Sequence, residues 1–100
     1  MKVTFRTVRL QQCYEDSKKA QREWDEKVAR RYIERVNVLK AAKSAEDLYK
    51  IPPLRFHPLE GDKKGTYSIT LIGRWRMEVS FQDEALTVTR VEEVTQHYGD

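Results

Sequence analysis

The stretch Thr66–Phe81, which reads TYSITLIGRWRMEVSF, decides the fold of this 100-residue chain. Apolar and polar side chains alternate on both sides of Gly73, and a period of two is typical of strands that bury one face. A glycine between two such runs suits the tight turn of a β-hairpin. The stretch therefore predicts two antiparallel strands, over about residues 66–71 and 74–81, linked at Gly73.

The alternation also predicts what each face of this hairpin carries. The apolar face needs cover from the rest of the chain and consists of Tyr67, Ile69, Leu71, Trp75, Met77, Val79 and Phe81. The polar face consists of Ser68, Thr70, Arg74, Arg76, Glu78 and Ser80. A slip of one residue would exchange the faces, so the pattern fixes the register. Arg74 and Arg76 are candidates for binding phosphate, because the planar guanidinium donates two parallel hydrogen bonds. The alternative is that both arginines are merely solvated and that Arg76 pairs with Glu78 or Glu60.

The chain before the hairpin reads as a short strand followed by helices. Residues 2–8 alternate, and residues 9–43 place apolar side chains three or four positions apart with neither Gly nor Pro between them. This spacing predicts one long amphipathic helix or a bent pair of helices, with Asp16 or Asp25 as the cap of the second helix. A segment that resembles a capping box, Ser44–Asp47, predicts one further helical turn.

The segments that flank the hairpin predict a loop and further strands. Pro58 interrupts residues 54–59, so this short extended piece suits a sheet edge. Residues 61–65 read as a glycine-flanked turn, and residues 85–91 predict a third strand before a polar tail. The order predicts an α+β fold, with an N-terminal strand and two or three helices packed on a small antiparallel sheet, in a single domain over residues 1–100.

Composition restricts the classes of function. The net charge of +3 is mild, and the excess of cations lies in residues 1–57, which carry 14 Lys and Arg against 8 Asp and Glu. The single cysteine, Cys13, allows no intramolecular disulfide and no thiolate cage, and its helical apolar pattern predicts a packed thiol. No stretch approaches the roughly 18 apolar residues of a membrane helix. We expect a cytoplasmic protein with no membrane contact, no metal and no small-molecule cofactor.

Histidine, lysine and tyrosine side chains near the hairpin are candidates for chemistry and binding. His57 and His97 are the only histidines, and an imidazole can exchange a proton in phosphodiester chemistry, although a structural or surface role is open for each. Lys63 and Lys64 lie in the glycine-flanked loop, which can approach a phosphate backbone or simply be solvated. Tyr67 at a sheet margin can stack on a base.

The run Leu54–Arg76, LRFHPLEGDKKGTYSITLIGRWR, closely resembles the HigB branch of the RelE/ParE toxin superfamily. That branch has a His-Pro-Leu-Lys-Gly loop, then two strands joined around a turn that contains Trp or Tyr and Arg. The tail Arg90–Asp100 and the segment Trp24–Val36 are similar to the C-terminal and helical parts of the family. The resemblance covers essentially the whole chain.

The resemblance implies a microbial-RNase-like fold and a toxin that cleaves messenger RNA on the ribosome. It implies that the messenger lies across the free sheet face, where its 2′-hydroxyl attacks the adjacent phosphate, and that an antitoxin, usually with a helix-turn-helix domain, blocks the toxin. By position, Arg76 should stabilise the scissile phosphate, and His97 is a candidate acid or base. The implied catalytic set is Arg76, His57, His97 and Arg74. The implied RNA-binding set is Lys63, Lys64, Tyr67 and Arg55.

One departure from the family pattern concerns the loop. Glu60 occupies the position where the family usually has lysine, so an anion is expected in the pocket, where it would repel RNA or pair with Arg76 or His57. Two alternatives therefore accompany the nuclease hypothesis. One is a ParE-like toxin that binds DNA gyrase, and the other is an inactivated toxin that acts as a binding module.

Overall fold

A computed structural model describes residues 1–97 of the chain. The helices are α1 (Val8–Glu15), α2 (Ser17–Glu23), α3 (Glu26–Ala41) and α4 (Ala45–Tyr49). The strands are β1 (Lys2–Phe5), β2 (His57–Pro58), β3 (Thr66–Thr70), β4 (Trp75–Phe81) and β5 (Val88–Gln96). Within this part of the chain, no helix combines the length and the apolar character needed to cross a membrane. The predicted α+β class is confirmed.

Five strands form one sheet in the order β1-β5-β4-β3-β2. The predicted hairpin is confirmed, with β3 antiparallel to β4, and Gly73 in its turn has a φ of +58°. The two-residue strand β2, which contains Pro58, lies at the edge, as predicted. The N-terminal strand pairs parallel with β5 instead of extending an antiparallel sheet. It ends at Phe5 because Thr7 caps α1, accepting the Leu10 N–H at 3.1 Å.

The helical region consists of three helices rather than one helix or a pair. Asp16 and Asp25 both act as N-caps, accepting from Lys18 N at 2.9 Å and Val28 N at 2.8 Å. Each aspartate satisfies N–H groups that have no partner within the helix, so each starts a new helix. The helical turn predicted after Ser44 is present as α4, but the predicted capping box is wrong, because the Ser44 side chain makes no capping hydrogen bond.

The third predicted strand, over residues 85–91, is displaced along the chain. Asp83 accepts the N–H groups of Thr87 and Val88, which holds the preceding residues in a turn, so β5 begins at Val88. The strand continues to Gln96, through most of the polar tail, whose similarity to the C-terminal part of the family was the sign of a strand there. Residues 98–100 of that tail lie outside the described residues.

A bulge in β5 explains why its continuation is hidden in the sequence. Glu78 pairs with Glu93 and Val79 pairs with Val91, so Glu92 has no partner on β4. An extra residue interrupts the period of two. Val91 and Val94 therefore both pack toward the core although they are three positions apart.

The core lies between the helices and one sheet face. Its largest fully buried side chains include Tyr32, Leu39, Leu48, Met77 and Val79. The apolar face read from the hairpin is therefore confirmed as the covered face. Cys13 is buried as predicted, and burial raises the pKa of its thiol.

Helix α3 also closes the open edge of β3, next to the hairpin turn. Because β2 pairs only with Tyr67 and Ser68, the edge of β3 continues past it. Arg35 Nε donates to Thr70 O at 3.1 Å, and Arg31 Nη1 donates to Leu71 O at 3.3 Å. These arginines satisfy carbonyls that would otherwise offer a template for another strand, and they fix the end of β3.

Candidate active site

A pocket of about 450 Å³ lies on the polar sheet face, at the end where the β3–β4 turn approaches the end of β5. Its volume is within the usual range for ligand sites. The pocket is lined by Arg55, His57, Ser68, Thr70, Gly73, Arg74, Trp75, Arg76 and His97. Residues from three separate segments of the chain therefore meet at one surface.

The strand register explains how these segments meet. His57 on β2 is opposite Ser68 on β3, and Thr70 on β3 is opposite Arg76 on β4. At the far end of β5, the His97 N–H donates to Arg74 O at 2.8 Å. All four residues expected to be catalytic, together with Arg55, thus line the same pocket.

The pocket lining is cationic. It contains three arginines and two histidines, and none of its lining residues in the described part of the chain is acidic. A concave surface with one sign of charge concentrates a ligand of the opposite sign. The arrangement suits a phosphodiester, because arginine donors can hold non-bridging oxygens while imidazole groups exchange protons.

The His57 ring has a defined hydrogen-bonded nitrogen. Its Nδ1 lies 2.7 Å from the carbonyl oxygen of Arg55. A carbonyl oxygen only accepts, so this bond assigns the proton of the neutral ring to Nδ1 and leaves the Nε2 lone pair available. The ring is exposed. His57 is therefore prepared to accept a proton through Nε2.

Arg55 holds that carbonyl in place with an unusual backbone conformation. Its φ is +48°, in the left-handed region that non-glycine residues seldom occupy. The residue ends the 3₁₀ turn Pro52–Leu54, and its N–H donates to Pro52 O at 3.0 Å. The turn thus places Arg55 and His57, which both precede Pro58 by at most three positions, in the lining of the pocket.

Arg76 lines the pocket but also forms an ion pair below it. Its Nη2 lies 2.9 Å from Glu78 Oε2, and the Glu78 side chain is only 3% exposed. Lys63 Nζ lies 2.9 Å from Glu78 Oε1, and the hydrogen bond with Glu78 is the main reason that the pKa of Lys63 is raised. The pairing of Arg76 with Glu78, one of the sequence-based alternatives, is therefore observed.

The structure does not bring the other expected RNA-binding residues into the pocket. Lys63 is engaged by Glu78, and Lys64 is exposed on the loop outside the pocket lining. Tyr67 packs on the covered face, with its ring stacked 5.0 Å from Phe56 and 5.3 Å from Phe81. The pocket gives no support to base stacking by Tyr67.

The expected pairing of Glu60 with Arg76 or His57 is wrong, whereas its expected repulsion of RNA stays a prediction. Glu60 is exposed, does not line the pocket and makes no ion pair with any residue between 1 and 97. It precedes the loop turn Gly61–Lys63, none of whose residues lines the pocket. The anion that contacts Arg76 is Glu78, two residues further along β4.

Sequence reasoning missed the acidic side chains beneath the polar face. Alternation assigned Glu78 and Ser68 to the uncovered face, but both are buried. Glu92 is also largely buried, with Arg90 Nε at 2.7 Å. The sign that Glu78 is buried among charges would be its position opposite Glu93 on β5. That pairing cannot be read from the sequence, because it depends on the bulge in β5. Within residues 1–97, no group of three His, Cys, Asp or Glu side chains could hold a metal ion.

Comparisons with known proteins agree with this fold. A family model described as the RelE-like toxin of the type II toxin-antitoxin system HigB matches residues 3–93. No curated protein gives a significant match. Among solved structures, a YoeB/ParE toxin from Agrobacterium tumefaciens has a TM-score of 0.58 at 20% identity and covers 98% of this chain and 100% of its own.

Two further solved structures share the fold. A YafQ mutant from E. coli has a TM-score of 0.61 at 17% identity, covering 94% of this chain and 90% of that chain. A YoeB–YefM complex from Staphylococcus aureus has a TM-score of 0.62 at 14% identity, covering 98% of both chains. At these identities the similarity is one of fold.

Proposed function

This chain belongs to the HigB-like family of RelE-like type II toxins, and from that premise we propose that it is an endoribonuclease that cleaves messenger RNA on the ribosome. The observation that carries the proposal is that Arg76, His57 and His97 line one pocket whose lining, within residues 1–97, contains no acid. One cation and two groups able to exchange protons are what cleavage by an internal 2′-hydroxyl needs.

The proposed reaction has one transfer step at phosphorus. The 2′-oxygen forms a bond to the adjacent phosphorus while the bond from phosphorus to the 5′-oxygen breaks, which leaves a 2′,3′-cyclic phosphate. His57 accepts the 2′-hydroxyl proton at Nε2, because its Nδ1 is occupied by the Arg55 carbonyl. Arg76 stabilises the charge on the phosphorane oxygens, and His97 donates a proton to the leaving 5′-oxygen. Arg74 contributes a second cation in the pocket.

The partners follow from the family and from the charge of the surface. As a type II toxin, the chain has an antitoxin partner. We propose a helix-turn-helix protein in that role, a cytoplasmic site of action, and a single toxin domain over residues 1–100. Arg55 in the pocket lining and the exposed Lys64 outside it are proposed RNA contacts, because each cation that meets a phosphate releases counterions.

The test is cleavage of ribosome-bound message by the purified toxin. Wild type, Arg76→Ala and His97→Gln are compared, and the 5′ ends of the products are mapped. Wild type is expected to cut only with ribosomes and to leave a 2′,3′-cyclic phosphate, while both variants cut slowly. A message with a 2′-deoxy sugar at the mapped site is the matched control and should stay intact.

The outcomes separate the three hypotheses. Intact message with a correctly folded wild-type protein contradicts the nuclease. Inhibition of gyrase without message cleavage would instead support the ParE-like alternative. Ribosome binding without any cleavage would support the inactivated binding module.

A further inference from the structure

A buried carboxylate lies beneath the candidate active site. Glu78 projects from β4 on the polar face, yet its side chain is 3% exposed. An isolated carboxylate at such a site would be costly, because burial removes its hydration. Glu78 is compensated by two cations, Arg76 Nη2 at 2.9 Å and Lys63 Nζ at 2.9 Å. One buried anion therefore connects a pocket residue with the loop that precedes β3.

The neighbouring strand adds a second anion at the same level. Glu93 on β5 is directly opposite Glu78, and like charges in that relation repel. Lys63 Nζ lies between them, 3.5 Å from Glu93 Oε2 as well as 2.9 Å from Glu78 Oε1. Lys63 thus neutralises a repulsive cross-strand pair. This role competes with any contact between Lys63 and RNA.

Arg76 is confined by the same arrangement. Its side chain is 16% exposed, and its Nε has no hydrogen-bond partner within the described part of the chain. The bond to Glu78 is the one ion pair that Arg76 makes there. A guanidinium whose buried Nε is unpaired would gain by rotating toward water, and the Glu78 carboxylate opposes that rotation.

We propose that Glu78 is a positioning residue, which holds the Arg76 guanidinium in the orientation that meets the phosphate, and that Lys63 holds Glu78 from the loop side. The inference rests on the proposed nuclease function. Glu78 itself does not contact the substrate. Its negative charge works against RNA binding, so its removal has opposite effects on affinity and on turnover.

The chain offers a matched control for this charge. Glu93 carries the same charge on the same face and contacts Lys63, but it has no ion pair with Arg76. Glu78→Gln and Glu93→Gln each remove one negative charge close to the bound RNA. Each should lower KM for ribosome-bound message by about twofold, because salt screens the repulsion between a carboxylate and the RNA phosphates.

Turnover should separate the two variants. Glu78→Gln releases Arg76, and a misplaced catalytic group costs about 10- to 100-fold in kcat. Glu93→Gln should leave kcat unchanged. Glu78→Asp keeps the charge but draws the carboxylate back from Arg76, so its kcat should fall while KM stays at the wild-type value. Equal kcat in Glu78→Gln and Glu93→Gln would overturn the proposal.

A second measurement keeps the inference independent of activity. The NMR signal of the Arg76 Nε–H reports protection of that group from solvent exchange. Protection is expected in wild type and Glu93→Gln and is expected to be lost in Glu78→Gln. Equal protection in all three overturns the proposal.

If wild type cuts no message, the nuclease function fails and this signal alone decides the role of Glu78. If Glu78→Gln does not fold, the kcat and Arg76 signal of Glu78→Asp decide it, and wild-type values for both would overturn it.

Discussion

The polar sheet face has two halves that both contain cations but differ in whether carboxylates lie beside them. The pocket half comprises Arg55, His57, Arg74 and His97. The paired half comprises Lys63, Glu78, Glu93, Arg90 and Glu92. No acid lines the pocket among residues 1–97, whereas each cation of the paired half contacts a carboxylate. The position of the acids, more than that of the cations, therefore defines the surface available to an anionic ligand.

Arg76 lies at the boundary and belongs to both halves. It lines the pocket and pairs with the buried Glu78. A net charge of +3 for the whole chain does not reveal this division. The difference teaches that, within residues 1–97, the carboxylates of the sheet neutralise one half of the polar face and leave the lining of the other half cationic.

The largest expected effect comes from the pocket half, at His57. The change His57→Asn retains an N–H donor for Arg55 O but removes the basic Nε2. Loss of a general base should lower kcat for message cleavage by about 10²- to 10⁴-fold. Single-turnover cleavage on ribosomes measures this, and the thermal unfolding midpoint should be close to that of wild type. A rate near wild type would remove His57 from the catalytic set.

A second test compares one arginine from each half. Arg76→Ala should lower kcat by about 10²- to 10³-fold, since it removes the donor for the developing phosphorane charge. Arg90→Ala removes an arginine whose Nε is already held 2.7 Å from Glu92. Its cleavage rate should remain within a few-fold of wild type. Similar losses in both variants would abolish the distinction between the halves.

A third test concerns the stability of the paired half. Burial alone would raise the pKa of Glu92, but hydrogen bonds from Arg90 and Ser80 outweigh it and the pKa is lowered. A carboxylate with a lowered pKa stabilises the fold above its unfolded pKa, and that contribution is lost as the pH falls through the folded value. Glu92→Gln should cost about 1 kcal/mol at pH 7.

Urea unfolding at two pH values measures the Glu92 effect. The difference between wild type and Glu92→Gln should shrink in acid, below the ordinary glutamate pKa of about 4.3. The matched change Glu84→Gln removes a carboxylate that is exposed. It should leave stability nearly unchanged at both pH values. A constant difference for Glu92→Gln would contradict the linkage.

The smallest effect is expected at Glu60. Because Glu60 lies outside both halves, Glu60→Lys should raise RNA affinity only about twofold through screened charge, and kcat should be unchanged. Ribosome-bound message cleavage at varied salt measures it. A large gain of activity would show that Glu60 acts on the pocket after all.

Much of the fold could be predicted because local patterns match it. Alternation over residues 66–81 gave the hairpin and its covered face, and Asp16 and Asp25 marked helix starts. The resemblance at Leu54–Arg76 led to residues that share the pocket. These signals are short-range, so they survive without tertiary information.

The rest depends on contacts between distant strands. The parallel pairing of β1 with β5 joins residues about 86 positions apart, which no local pattern encodes. The burial of Glu78 requires Lys63 and Arg76 to close over it. Tyr67 is a case in which the local pattern was sufficient. Alternation placed Tyr67 on the covered face, and the expected contact with RNA did not agree with that placement.

The bulge at Glu92 also determines how the length of this strand can change. Without Glu92, the order of residues would be valine, glutamate, valine, and Val91 and Val94 would alternate regularly toward the core. A one-residue deletion of Glu92, or of Glu93, which leaves the same sequence, is thus in phase with the sheet. A deletion elsewhere in β5 would instead reverse which face each of the following side chains occupies. Amide exchange along β4 and β5 should stay protected in the chain that lacks Glu92. Position 92 is therefore a natural place for length variation among otherwise superimposable chains.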